Sequence, residues 1–292
     1  MLDQVTASVD PPAWVSSEVF SYSQLNLDLA EASRTIKEEA TTRFPVAQQG
    51  FAMVEGQAQA MLQTDVETLL ASLGDKHISV QFEPRVVEVD LGNGEPFKSF
   101  EERQAFVWPM RDEATWNRLM NTLGGFAAML NLEPTDEQGF RGYRIENEAL
   151  SGGVVMNSNY LVLAIGEDVL ASVLQSLNNP PVGSDAMRNS DLYRKAEEFV
   201  GSESVFSVEI SDGGRLMSTI RDELVPSLQR IQGLQKSFEL DSDGELDWIE
   251  RVLEIIPTER EMEGLMGVVI TKFIVTDEGL TLHGINELPP VE

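Results

Sequence analysis

Along His77-Ile78-Ser79-Val80-Gln81-Phe82-Glu83, apolar and polar residues alternate strictly, the pattern of a strand with one face buried. Leu161-Val162-Leu163-Ala164-Ile165 is apolar at every position, which places it centrally in a sheet covered on both sides. Further strands are expected over 17–23, 105–109, 142–145, 154–156 and 204–210. Asn157-Ser158-Asn159 supplies a tight turn between two of them, and Gly92-Asn93-Gly94 centres a hairpin or surface excursion over 86–100. A final hairpin pairs 268–275 with 280–285 through Thr276-Asp277-Glu278-Gly279.

Helical spacing fills the intervals. Asp28 is placed to cap a helix running to about residue 40, and further helices are expected over 50–63, 65–73, 112–124, 167–177 and 190–200. Longer helical segments follow, to about residue 238 and again over 247–256. Asp28, Asp112 and Asp212 each open a helix directly after a strand. Four residues on stand Ala32, Trp116 and Leu216, and eight residues on stand Ile36, Met120 and Ile220, so each pair shares a helical face directed at a sheet. The common requirement for a cap and an apolar stripe explains this likeness, and so would a repeated strand–helix module.

The expected fold class is therefore α+β, with mainly antiparallel sheets and packed helices. Trp116, Met120, Leu161, Leu163, Leu216, Ile220, Phe273 and Leu282 are the expected core. Asp10-Pro11-Pro12 stiffens an extended N-terminal arm over 1–14. A first α+β region then spans 15–178, a candidate linker spans 179–189 around Pro180-Pro181, and a second region spans 190–292. One continuous domain is the alternative.

Charge narrows the range of partners. The 292 residues hold 49 Asp and Glu against 21 Lys and Arg, a formal charge of −28. Such a field repels phosphate backbones and anionic lipid, so nucleic acid is excluded as an expected partner. No stretch approaches the roughly 20 apolar residues of a spanning helix, so direct insertion in a membrane is not expected. That leaves a protein or a small molecule. The absence of cysteine excludes disulfides, zinc–thiolate centres, iron–sulfur clusters and thiol nucleophiles.

Several short motifs stand along the chain. Pro12-Ala13-Trp14-Val15 is followed by Phe20-Ser21-Tyr22 and by Leu25-Asn26-Leu27-Asp28-Leu29. Leu73-Gly74-Asp75-Lys76-His77-Ile78 precedes a strand, Leu161-Val162-Leu163-Ala164-Ile165-Gly166 leads into Asp168-Val169-Leu170, and Asp277-Glu278-Gly279-Leu280 opens the last strand. Together they resemble a domain-of-unknown-function family of large exported or membrane-anchored bacterial proteins. The resemblance implies an extracytoplasmic protein with repeated strand–helix units, and it carries over no catalytic residue. Met1-Leu2-Asp3-Gln4 has no basic and apolar leader pattern, which by itself reads as cytoplasmic.

No linear motif indicates catalysis. His77 and His283 have no second ligand at metal-binding spacing, and no nucleophile elbow, phosphate loop or dinucleotide turn occurs. Trp14, Trp108, Trp116 and Trp248 are scattered and fit core or interface positions. One segment points to a metal. Glu239, Asp241, Asp243, Glu245, Asp247 and Glu250 lie between two expected helices, and four of them match calcium-loop positions. Asp241 and Asp243 take the third and fifth positions, Gly244 the sixth, Leu246 the eighth, Asp247 the ninth and Glu250 the bidentate twelfth. Glu239 stands at the first position, where its extra methylene crowds the cage, so a loaded loop would be a weak site of roughly 10⁻⁴ to 10⁻³ M. An acidic helix–turn–helix corner, with Asp241 or Asp243 as cap, explains the same residues without a metal.

The functional expectation is a non-enzymatic binding or interaction module. The alternatives are a calcium-dependent structural or sensor module, and a metal-dependent hydrolase built from carboxylates.

Overall fold

The computed structural model describes residues 9–62, 64–89, 97–147, 150–166, 168–201, 205–215, 267–276 and 279–287. The chain is α+β. Among the described residues ten strands form one antiparallel sheet, and β3 (Arg85–Val89) and β4 (Phe97–Glu101) form a separate hairpin. β1 (Ser21–Asn26) lies inside the large sheet, between β2 (Lys76–Gln81) and β10 (Ser207–Asp212). Beyond β2 follow β5 (Gln104–Pro109), β9 (Tyr160–Ile165), β8 (Leu150–Met156), β7 (Phe140–Asn147) and the edge strand β6 (Leu132–Glu137). Beyond β10 follow β11 (Val268–Thr276) and the opposite edge, β12 (Gly279–Glu287). The sheet thus contains strands from both sides of the 179–189 segment, joined where β1 pairs with β10.

Helices cover both faces. Six consecutive cross-strand partners, Val155, Val162, Val107, Ile78, Gln24 and Val208, run through the middle of one face. On that face pack α5 (Val169–Asn178), through Val169, Leu170, Val173 and Leu174, and α6 (Asp191–Val200), through Tyr193, Ala196 and Val200. The other face buries Met156 and Leu161 against Trp116, Leu119 and Met120 of α4 (Glu113–Phe126), with Leu69 of α3 (Val66–Ala71) at the margin. β7 and β8 come so close that a Cβ on Gly142 would lie 2.1 Å from Val154 O, so only glycine fits there.

The described part of the N-terminal segment, residues 9–14, is part of the fold. Val9 and Trp14 are buried in the main core. Three side chains from distant elements donate to three successive carbonyls: Tyr193 Oη to Val9 O (2.5 Å), Lys76 Nζ to Asp10 O (2.9 Å) and Arg188 Nη2 to Pro11 O (3.1 Å). Burial and the nearby Asp10 carboxylate push the Tyr193 hydroxyl up to about 12, so it stays protonated and donating through neutral pH.

Most expected elements are present, with boundaries moved by a few residues, and the caps at Asp28 and Asp112 accept from Glu31 N and Ala114 N. Asp212 accepts similarly from Arg215 N. Trp116, Met120 and Leu161 are buried, and Leu163 and Phe273 half-buried. Leu282 is a correction: it is 59% exposed, because β12 is an edge strand and no described helix covers it. Ile36 is another, at 61% exposed, because α1 leaves the sheet after its first turn. Leu216 and Ile220 lie outside the described residues. Sequence patterning also misses β6, where Glu133, Pro134 and Asp136 suggest a loop, yet an edge strand tolerates both charge and proline.

β1 carries an inward row of polar side chains. Tyr22 Oη donates to Gln24 Oε1 (2.8 Å), Gln24 Nε2 to Asn26 Oδ1 (2.9 Å) and Asn26 Nδ2 to Val205 O (2.9 Å). All three side chains are buried, and burial raises the Tyr22 hydroxyl well above its ordinary value. Gln24→Leu would leave the Tyr22 hydroxyl without this acceptor and Asn26 Oδ1 without this donor, at about 1–3 kcal/mol for each buried group. Denaturant unfolding should therefore show a loss of roughly 2 kcal/mol or more. A neutral Gln24→Leu would show that the row contributes little.

Candidate interaction surface

Directly after β1 the chain leaves the sheet as a helical hairpin. α1 (Leu29–Arg43) starts at the Asp28 cap and rises about 22 Å over its 15 residues. It turns at Phe44-Pro45 and returns as α2 (Val46–Leu62). Only Ala32 of α1 is buried, and no described side chain of α2 is. Ile36, Phe44, Val46, Met53 and Val54 are between 53% and 76% exposed. α2 is rich in Ala, Gln and Gly and has a single charged residue, Glu55. Such a helix has little charge of its own, and five large apolar side chains on one hairpin exceed the scattered exposure usual on a monomer surface.

The basic residues of α1 are each paired with a carboxylate. Arg34 faces Glu67 (3.6 Å), Lys37 pairs with Glu55 across the hairpin, and Arg43 pairs with Glu39 (3.1 Å). All six side chains are substantially exposed, so each pair contributes at most about 1 kcal/mol. Their main consequence is electrostatic, because they leave the hairpin without an unneutralised cation on α1.

The root of the hairpin is a polar corner. Asp75 O accepts from Leu27 N (2.8 Å), and Leu27 O accepts from His77 Nε2 (2.8 Å), which assigns the imidazole proton to Nε2. Arg111 pairs with Asp75 and reaches to 3.9 Å from Asp28, the residue that caps α1. Arg111 N and Asp112 N both donate to Ser72 O, and Ser72 Oγ accepts from Trp116 Nε1 (2.8 Å). The corner thus ties the start of α1 to the start of α4.

His77 is buried there, and its Nδ1 has no hydrogen-bond partner among the described residues. Burial lowers its pKa and Arg111 adds to that effect, against the carbonyl of Leu27 and the carboxylates of Asp75 and Asp28, which raise it.

Two clefts lie elsewhere. One of about 440 Å³, between α4 and the β6–β7 hairpin, is lined by Asn117, Met120, Asn121, Thr135, Arg141 and Tyr143. Arg141 there already donates to Glu113 Oε1 (2.8 Å) and Asn117 Oδ1 (2.6 Å). The other, of about 450 Å³, lies beside the N-terminal segment and brings Asp10 and Glu197 together with Arg188 and Tyr193. Among the described residues, no three His, Asp or Glu side chains gather to hold a metal, and no helix is long and apolar enough to cross a membrane. Glu239, Asp241, Asp243, Glu245, Asp247 and Glu250, the expected calcium loop, lie outside the described residues, as does Trp248. His283 is exposed on β12. Sequence reading finds α1 and its cap but not the uncovered hairpin; the signal available was the run from Val46 to Leu62, with one charge in so acidic a chain. No family model, curated protein or solved structure matches the chain.

The His77 environment sets a pH dependence. Its folded pKa lies below the ordinary 6.5, so between that value and the folded pKa the unfolded chain binds more protons. This contribution to stability is complete above about pH 6.5 and declines as pH falls through that window. His77→Gln, which can keep a donor to Leu27 O, should flatten the slope of unfolding free energy against pH just below 6.5. An unchanged slope would remove His77 as its source.

Proposed function

We propose that this chain is a non-enzymatic interaction module that engages a basic protein partner through the α1–α2 hairpin. The observation that carries this reading is the uncovered apolar surface of Ile36, Phe44, Val46, Met53 and Val54 on a hairpin that, among the described residues, is tied to the fold at its root. Burying such side chains yields about 25 cal/mol per Å² of apolar surface, a gain that the isolated chain forgoes on this hairpin. The partner's chemistry follows from charge. The field of a −28 chain attracts cationic surfaces and raises their association rate, and the cations of α1 are already paired. The complementary surface is an apolar stripe ringed by Lys and Arg, the arrangement of an amphipathic basic helix. The resemblance to exported bacterial proteins supports a place outside the cytoplasm for this encounter.

The test uses two synthetic helical peptides of equal length and apolar content, one with a Leu/Lys pattern and one with Leu/Glu. Calorimetry should detect binding of the Lys peptide and none of the Glu peptide, with affinity falling as salt rises. The double variant Val46→Ser, Met53→Ser should keep the wild-type melting temperature, since both residues are exposed, and bind about tenfold more weakly or worse. Equal binding of the Lys peptide by the variant would contradict the hairpin as the site.

A further inference from the structure

The two edges of the sheet are built in opposite ways. β6 reads Leu132-Glu133-Pro134-Thr135-Asp136-Glu137: three carboxylates and a proline in six residues. Proline has no N–H to offer a further strand, and like charges repel an approaching one, the usual means by which sheet edges are kept unpaired. β12 has neither device. From Leu280 to Asn286 it contains no Asp, Glu, Lys, Arg or Pro. It pairs with β11 without a bulge over its full length, from Gly279 opposite Thr276 to Glu287 opposite Val268. Every residue from Thr281 to Asn286 is exposed, with Leu282 at 59% and Ile285 at 37%. Among the described residues nothing pairs with its outer edge. A straight nine-residue strand in this state presents a row of backbone donors and acceptors that another strand can satisfy.

We propose that β12 is a strand-addition site, where an extended segment of a partner protein joins as the eleventh strand. The edge itself specifies the occupant's conformation, since only an extended backbone matches its hydrogen-bonding period. Leu282 and Ile285 lie on opposite faces of the pleat and offer apolar contacts to an incoming strand on both. Charge specifies the rest. The neutral run is bounded in sequence by Asp277-Glu278 on one side and by Glu287 on the other. Two copies of a chain with a formal charge of −28 repel one another, which disfavours a second copy, whereas an uncharged segment flanked by Lys or Arg is drawn by the same field. This surface is separate from the α1–α2 hairpin and stands or falls independently of it.

The probe is a fluorescent nine-residue peptide, Lys-Lys-Val-Thr-Val-Thr-Val-Lys-Lys, with both termini blocked. Fluorescence anisotropy should register binding to the full chain, and hydrogen exchange should show slowed β12 amides. Three changes should each weaken binding at least about tenfold: glutamates in place of the peptide lysines, N-methylation of alternate peptide amides, and Leu282→Glu with Ile285→Glu in the protein. The Val46→Ser, Met53→Ser protein should bind this peptide as the wild type does, which separates failure here from failure of the hairpin reading. Equal binding of the N-methylated peptide would overturn strand addition. So would protection confined to other elements. Dimerisation of the protein alone, abolished by Leu282→Glu with Ile285→Glu, would overturn the assignment to a basic partner.

Discussion

The pairing of β1 on both its sides is the constraint on which the rest of this structure depends. Six strands lie beyond its β2 side and three beyond its β10 side, so removing β1 would divide the sheet into two pieces. Its inward face is polar, and along it Tyr22, Gln24, Asn26 and Val205 O satisfy one another in sequence, which offsets the cost of their burial. An apolar strand could bury itself in many registers. A polar row that must meet a particular carbonyl is satisfied in far fewer, and the pairing of Ser21 with Gln81 on one side and Ser211 on the other follows one of them.

The same strand positions both outward-facing surfaces. Its C-terminal end runs into Leu27 and the Asp28 cap, which the Asp75–His77–Arg111 corner holds, so the α1–α2 hairpin leaves the sheet from a fixed root. On its other side, β10 and β11 carry β12 to the far edge. Lys272 of β11 reinforces that side: its Nζ donates to Phe199 O in the last turn of α6 (3.3 Å) and lies 4.8 Å from the Phe199 ring centroid, where a cation also suits the helix dipole. α2 carries one charged residue and β12 carries none from Leu280 to Asn286, in a chain whose formal charge is −28. The carboxylates that repel most contacts therefore leave two places where apolar contact is unopposed.

Local chemistry made much of this fold legible in the sequence. Asp28 and Asp112 cap helices because their carboxylates reach the free N–H groups of a first turn, a requirement that spans three residues of chain. The Asn157-Ser158-Asn159 turn is equally local, with Asn157 Oδ1 accepting from Asn159 N and Tyr160 N. What sequence reading misses depends on partners distant along the chain. The expected strand over 17–23 stops before Gln24 and Asn26 because polar residues look like a boundary, and their partner Val205 is 179 residues from Asn26. Leu282 and Ile36 look like core residues because periodicity reports which face a side chain takes, not whether another element covers it. Both proposed surfaces consist of such uncovered faces, so the fold was more legible than the sites.

The central claim is that β1 makes the two sides of the sheet one cooperative unit. Native-state hydrogen exchange at increasing denaturant measures this directly, by comparing the slowest amides of β2 and β5 with those of β10 and β11. The account predicts that both sets exchange through one common opening, with the same free energy and the same denaturant dependence. Opening of β10 and β11 at a clearly lower free energy, while β2 and β5 stay protected, would contradict it.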